Sequence, residues 1–272
     1  MNEYNEYIET NRLHWDEAVP IHLASDFYDV ASFKRGRTSL LPLERDEVGE
    51  VRGKTLLHLQ CHFGLDTLSW AREGALVTGV DFSRPAIEAA RKLGRELGIE
   101  ARFIESNIYE LPSALDGQFD LVFTSYGVLC WLPDIEAWAR VVARYVKPGG
   151  SFYIVDGHPL YNMIWDSSSA GELRLGHSYF GGEPMPSLED GTYADRTARL
   201  QNNRTYEFDH GLGVIVTSLI SAGLEIEFLR EHPFSGFEAL PGMTKGSDGF
   251  YHLPPDVPPI PILFSLRATK PA

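Results

Sequence analysis

The 272-residue chain has only two cysteines, Cys61 and Cys130, too few for a disulfide framework. Basic side chains are scarce as well. Against 38 Asp and Glu stand 24 Lys and Arg, a formal charge of −14, and no Lys/Arg block offsets a field that repels phosphate polyanions. Long apolar runs are missing. The longest, residues 211–224, has 14 residues and contains Thr217, Ser218 and Ser221, short of the roughly 20 that a membrane span needs. Nothing repeats with a period of about 20–50 residues, which excludes solenoids and propellers. The opening MNEYNEYIET is acidic and polar where a secretory leader is basic and then apolar, so a cytoplasmic, reducing location is expected. What the chain does have, 43% hydrophobic against 23% charged residues, is enough for a buried core in one large domain or two small ones.

From residue 55 onward, short apolar runs alternate with helical patterns. TLLHL at 55–59 reads as a strand, followed by the loop Gln60–Gly64 and a helix from Leu65 that Gly74 ends. ALVTGV at 75–80 is the next strand, and Ser83 with Pro85 opens a helix whose stripe is Ile87, Ala90, Leu93 and Leu97, stopped by Gly98. ARFI (101–104), FDLVFTSYG (119–127) and SFYIVDG (151–157) supply three more strands, the last two separated by a helix that Asp134 caps and Lys147-Pro148-Gly149-Gly150 ends. Parallel neighbours need helical crossovers, so this alternation predicts a three-layer α/β, Rossmann-like fold. After a helix at 211–224, strands at 225–234 and 261–270 with no helix between them predict an antiparallel ending. The expected organisation is a helical N-terminal cap of one or two helices at 1–50, a core at 51–157 and 211–272, and a lid inserted at 158–210, a stretch rich in Gly, Ser, Pro and Tyr and too long for a simple connection.

In open α/β sheets, ligands sit beyond the carboxyl ends of the strands, closest to the loop after the first one. Here that loop is Gln60-Cys61-His62-Phe63-Gly64, and Asp81 stands 21 residues after Gln60, at the end of the second strand. A carboxylate there can accept hydrogen bonds from both hydroxyls of an adenosine ribose, with Phe82 beside it to pack on the adenine. Asn107, Ile108 and Tyr109 after the third strand suit an adenine edge and face.

The run TLLHLQCHFGLDT, GVDFS, FIESNIYEL, FDLVFTSYGVLCWL, VKPGGSFYIVD resembles the class I S-adenosylmethionine-dependent methyltransferases, small-molecule branch, over about residues 54–156. The resemblance implies S-adenosyl-L-methionine as cofactor. It assigns Gln60, Cys61, His62 and Gly64 to the methionine end, Asp81 and Phe82 to the ribose and adenine, Asn107 and Ile108 to the adenine edge, Tyr126 to the neighbourhood of the reacting methyl, and Asp66 and Ser83 to the cofactor site at large. The chain departs from that family at three positions. An acidic residue is usual where His58 stands, and glycines are usual at Gln60 and His62; only Gly64 keeps the pattern. Either the loop follows another path or these side chains touch the cofactor.

The implied reaction is in-line methyl transfer to a small molecule in a capped, dry pocket. Trp15, His22, Tyr28, Trp131, Trp165 and Tyr179 are its candidate lining. Tyr126 and His158 are the candidate catalytic groups, with His14, His22 and His177 as weaker candidate bases. No metal is expected: His58, Cys61 and His62 spell H-x-x-C-H, but no second Cys/His cluster lies near in sequence. Nucleic acid is not expected as acceptor, because Thr124-Ser125-Tyr126-Gly127 is not the Asn/Asp-Pro-Pro-aromatic turn of base amino-methylation. A membrane partner is not expected, and a homodimer is possible. Two alternatives stay open. One is a protein that binds adenosylmethionine or adenosylhomocysteine without turnover. The other, disfavoured because QCHFGL lacks G-x-G-x-x-G, is an NAD(P)-dependent oxidoreductase.

Overall fold

The computed structural model describes residues 4–164 and 174–272. Three helices, α1 (Asn5–Ala24), α2 (Val30–Lys34) and α3 (Pro42–Val48), precede β1 (Thr55–Leu59), one more than the expected one or two. There follow α4 (Leu65–Arg72), β2 (Leu76–Asp81), α5 (Arg84–Leu97), β3 (Arg102–Glu105), α6 (Leu111–Ala114), β4 (Phe119–Ser125), α7 (Ile135–Tyr145) and β5 (Val146–Gly157). The inserted region holds α8 (Pro159–Asn162), β6 (Met185–Leu188) and β7 (Arg204–Glu207). The chain then runs through α9 (Leu212–Ser221), β8 (Glu225–His232), β9 (Phe234–Ser235), β10 (Thr244–Lys245), β11 (Tyr251–His252) and β12 (Leu263–Thr269).

Local chemistry accounts for the helices that frame the site. Ser83 Oγ accepts the Ala86 N–H at 3.3 Å and Gly98 ends α5 at φ +65°, while Asp134 accepts the Ala137 N–H at 2.8 Å at the start of α7. Seven strands form one sheet in the order β3-β2-β1-β4-β5-β12-β8. β1 to β5 pair in parallel, and β12 runs antiparallel to both β5 and β8. The fold is therefore a Rossmann-like, mostly parallel sheet with one antiparallel strand, and strand order reverses between β1 and β4. Alternating side chains fill both faces. Leu57, Leu59, Phe152 and Ile154 pack under α7 and α9, whereas Leu56, Phe123, Tyr153 and Val155 pack with Val48 and Trp70.

Two expectations need correction. Lys147-Pro148-Gly149-Gly150 does not separate helix from strand. It bulges within β5, whose register against β4 jumps from Phe119↔Val146 to Leu121↔Ser151. The strand expected at 225–234 is cut at Pro233, which has no N–H to donate; Phe234 starts a separate three-stranded sheet, β10-β11-β9.

The N-terminal helix packs on β7 of the inserted region, and its Trp15 lies beside His62 and Trp131 in the loops after β1 and β4. The buried Asn11 pairs with β7 as a strand residue would, donating to Tyr206 O and accepting from Tyr206 N, both at 2.8 Å. Glu17 accepts the N–H groups of Gln201 and Asn202, and His14 Nδ1 meets Asn202 O at 2.9 Å.

Candidate functional site

The loop after β1 takes a backbone path that favours glycine, although only one glycine is present. Gln60, His62 and Gly64 have φ of +58°, +50° and +79°. The left-handed conformation costs a non-glycine residue about 1–2 kcal/mol, so holding two such residues there requires contacts that over-determine the turn. Those contacts are present. Gln60 Nε2 donates to Val128 O at 3.1 Å, bridging the loops after β1 and β4, and the His62 N–H donates to Asp81 Oδ2 at 2.8 Å. A side chain on Gly64 would meet the Phe103 ring at 2.8 Å, so this position keeps its glycine for space as well.

Asp81 is the focus of this end of the sheet. It is 8% exposed, and its second oxygen accepts the Ser83 N–H at 2.9 Å. Burial pushes its pKa up to about 6, against the pull of the two backbone donors; Asp16 on α1 adds to the rise. Each carboxylate oxygen accepts one N–H and has a further lone pair for a ligand. Phe82 lies half-buried beside it.

The remaining predicted residues divide. Asn107 Oδ1 accepts the Tyr109 N–H at 3.2 Å in an Asx turn, leaving its NH₂ as the group that can meet an adenine edge, and Ile108 is buried next to it. Ser83 caps α5. Cys61 turns away from the loop's outer side into the core with Phe103, and burial raises its thiol pKa well above the usual range. Asp66, in the first turn of α4, accepts Ser125 Oγ at 3.0 Å. Tyr126, at φ +44°, donates its hydroxyl to Glu44 Oε2 at 2.8 Å. Glu44, fully buried, also accepts the Leu41 N–H; burial first and Asp66 second push its pKa up to about 8.

Above the loop stands a group of rings. Trp15 is edge-on to Trp131 at 5.3 Å and to His62 at 5.4 Å between centroids. His22 Nδ1 lies 3.0 Å from His62 Nε2, and Tyr28 packs on Phe63. Trp131 Nε1 donates to Gly127 O at 2.8 Å. Tyr193, from the insertion, closes the group by a hydroxyl contact to Tyr28.

Two predicted residues stand outside this group. Tyr179 accepts the Leu212 N–H at 3.2 Å and so anchors the start of α9. His158, the expected base, accepts the Leu160 N–H on Nδ1 at 3.0 Å, and its Nε2 lies 2.9 Å from the Glu231 carboxylate, a charged contact without hydrogen-bond geometry. Trp165 lies outside the described residues. The members of H-x-x-C-H diverge, His58 Nδ1 meeting Thr67 Oγ1 at 2.9 Å while His62 faces His22.

The sequence reading missed three groups. Asp156, 3% exposed, accepts N–H groups from Gly127, Val128, Leu129 and Gly157 and fixes the turn after β4; its place at a strand end, like that of Asp81, was the available signal. Tyr193 and Glu44 carried no local signal.

Residues 57–154 match the methyltransferase domain family. Residues 57–154 therefore carry a methyltransferase domain within the longer chain. It is similar to the ubiquinone biosynthesis O-methyltransferase of Escherichia coli O7:K1, with 30% identity over 157 residues, 56% of this chain and 65% of that protein. The protein of the same description from Escherichia fergusonii is 33% identical over 108 residues, 40% of this chain and 45% of the other. The chain thus spans between 45% and 65% of the length of these relatives. Among solved structures, an S-adenosylmethionine-dependent methyltransferase from Mesorhizobium loti shares the fold at TM-score 0.59 and 20% identity, over 86% of this chain and 99% of that one. The DhpI–SAH complex shares it at TM-score 0.56 and 18% identity, over 97% of each chain.

The residues at this end of the sheet suit the cofactor that a methyltransferase domain implies. A sulfonium nucleoside needs an acceptor for a sugar diol, a cleft for adenine and an acceptor for an ammonium group. Asp81 would supply the first, Phe82 and Asn107 would serve the second, and Gln60 Oε1, buried and without a partner, would be available for the third.

Proposed function

We propose that the protein transfers the methyl group of S-adenosylmethionine to a small-molecule acceptor inside the chamber formed by α1, the loop after β1 and the insertion. One observation carries this reading: the buried Asp81 carboxylate is held by the His62 and Ser83 N–H groups beside a loop whose backbone is left-handed at positions 60, 62 and 64. That combination presents an acceptor pair to a diol and lets the backbone approach a ligand closely. The bound cofactor supplies a methyl group already activated by the positive sulfur. The chain's own part is to orient it, exclude water and hold the acceptor near the methyl. Trp15, Tyr28, Trp131 and Tyr193 provide the apolar walls, and the pairing of Asn11, His14 and Glu17 with the insertion holds the cap closed.

The names of the curated relatives add support for a small acceptor, and the surplus of acidic side chains argues against a nucleic acid. The test is calorimetric titration with adenosylmethionine, adenosylhomocysteine and NAD side by side, followed by transfer from methyl-tritiated cofactor to a metabolite pool. Binding of adenosylhomocysteine with a labelled small product is expected. Binding of NAD alone would overturn the reading, and binding without a labelled product from any pool would favour a non-catalytic sensor.

A further inference from the structure

Within the ring group one buried polar atom has no partner. His22 is fully buried, and its Nε2 makes no hydrogen bond. Its neighbours use their polar atoms on one another: Tyr28 with Tyr193, Trp131 Nε1 with Gly127 O, and His22 Nδ1 with His62 Nε2. The walls around it are aromatic, with Tyr193, His62, Tyr28 and Trp15 at 4.8, 5.2, 5.4 and 5.8 Å between centroids. An unsatisfied imidazole nitrogen among such rings carries a desolvation cost that a ligand O–H or N–H would remove.

Resting on the reading just given, we propose that His22 is the general base of the methyl transfer, with His62 as the positioning residue that holds it in the reactive tautomer. With His22 Nδ1–H donating to His62 Nε2, the His22 Nε2 lone pair is left without a protein partner. The acceptor's oxygen or nitrogen forms a bond to the methyl carbon, the carbon–sulfur bond breaks and its electron pair stays on sulfur, and the acceptor's proton passes to His22 Nε2. The positive charge lost by sulfur reappears on the imidazole, so the chamber's net charge does not change.

Three observations support this assignment. His22 lies in the last turn of α1, where unpaired carbonyl groups favour a cation. Burial holds its pKa down at about 4, with His14 adding to the shift, so the ring is neutral near pH 7 and its Nε2 lone pair is unprotonated; the lost sulfonium charge is what offsets the burial cost of the imidazolium. Besides His14, the ionisable groups facing it are Tyr28, His62 and Tyr193. Finally, His62 links the two halves of the site: its N–H binds Asp81 and its ring binds His22.

The test uses the full chain with adenosylhomocysteine. Nitrogen NMR of the labelled imidazoles at pH 7 is expected to show His22 protonated on Nδ1 and bare on Nε2; a proton on Nε2 overturns the assignment. His22→Asn keeps a donor toward His62 and removes the base. It is expected to bind adenosylhomocysteine as the wild type does, and to lower single-turnover label transfer by about 100-fold or more. Wild-type transfer rates overturn the proposal, and so does an affinity loss of about tenfold or more, because His22 would then serve the cofactor seat. Failure of the wild-type chain to bind adenosylhomocysteine is a separate result and strikes the cofactor reading itself.

Discussion

Asp81→Asn tests the cofactor seat most directly, because the side chain keeps its shape and loses only charge and one acceptor. The carboxylate now receives the His62 N–H at 2.8 Å and the Ser83 N–H at 2.9 Å. In the variant an NH₂ must face one of these donors. One charge-assisted bond, worth about 1.5–3 kcal/mol, is lost and one buried N–H is left unpaired at a further cost of about 1–3 kcal/mol. In the other direction, the folded pKa of about 6 means that ionised Asp81 destabilises the fold at neutral pH, and removing that charge returns about 3 kcal/mol. The two effects nearly cancel, and a net loss of about 0–3 kcal/mol leaves the variant folded, with a melting temperature lower by no more than about 10 °C. Binding has no such compensation. Two hydrogen bonds from a sugar diol to a buried anion are worth about 3 kcal/mol or more, so adenosylhomocysteine affinity falls by at least about 100-fold. The wild type adds a signature in pH. A diol that binds the ionised carboxylate weakens as pH falls through about 6, by about tenfold between pH 7 and pH 5, and binding near pH 6 releases a proton. Calorimetry in buffers of different ionisation enthalpy measures both. An Asn variant that binds within a few-fold of the wild type, or a wild-type affinity that does not change from pH 5 to pH 7, refutes the reasoning.

Other substitutions separate backbone strain from side-chain contact. Gln60→Gly relieves a left-handed residue while losing the bond to Val128 O, and is expected to be near neutral; Gln60→Ala keeps the strain and loses the bond, and is expected to cost about 1–2 kcal/mol in urea unfolding. Glu44 has a folded pKa of about 8, above its unfolded value, so its stabilising contribution is complete below about pH 4.5 and is lost as pH rises through 8. Glu44→Gln, which can still pair with Leu41 N–H and Tyr126, is therefore expected to match the wild type near pH 4.5 and to exceed its stability by about 2 kcal/mol at pH 6 and about 5 kcal/mol at pH 9; a stability difference that does not change with pH would contradict a protonated buried carboxyl. Asp156→Ala strips a partner from four N–H groups and is expected to cost at least about 3 kcal/mol, with adenosylhomocysteine binding lost before global unfolding in a denaturant series.

What could be read in the sequence follows the range of the interactions. The parallel strands and their helices were legible because each is specified within a few residues: Ser83 and Asp134 as caps, Gly98 as a stop, short apolar runs for buried strands. Lys147-Pro148-Gly149-Gly150 looked like a break because a bulge is a property of pairing with β4, and nothing local records it. Asp81 was visible from its spacing after Gln60. The conformations of Gln60 and His62 were not, since neither residue type announces a positive φ; they are explained by contacts with Val128 and Asp81, 68 and 19 residues away. The cap was legible only as composition. Asn11 meets Tyr206 across 195 positions and Tyr28 meets Tyr193 across 165, so the chamber walls exist only once the insertion has folded onto α1. The same reasoning explains why His158 attracted attention and His22 little: a histidine just past a strand end has a sequence address, whereas the free nitrogen of His22 is defined by what surrounds it in space. A site of this kind is assembled from one local element, the loop after β1, and one long-range element, the cap. On the proposed function the loop would set where the cofactor lies and the cap what may approach it, so substitutions in the loop are expected to change cofactor affinity, and substitutions in the cap to change the choice of acceptor.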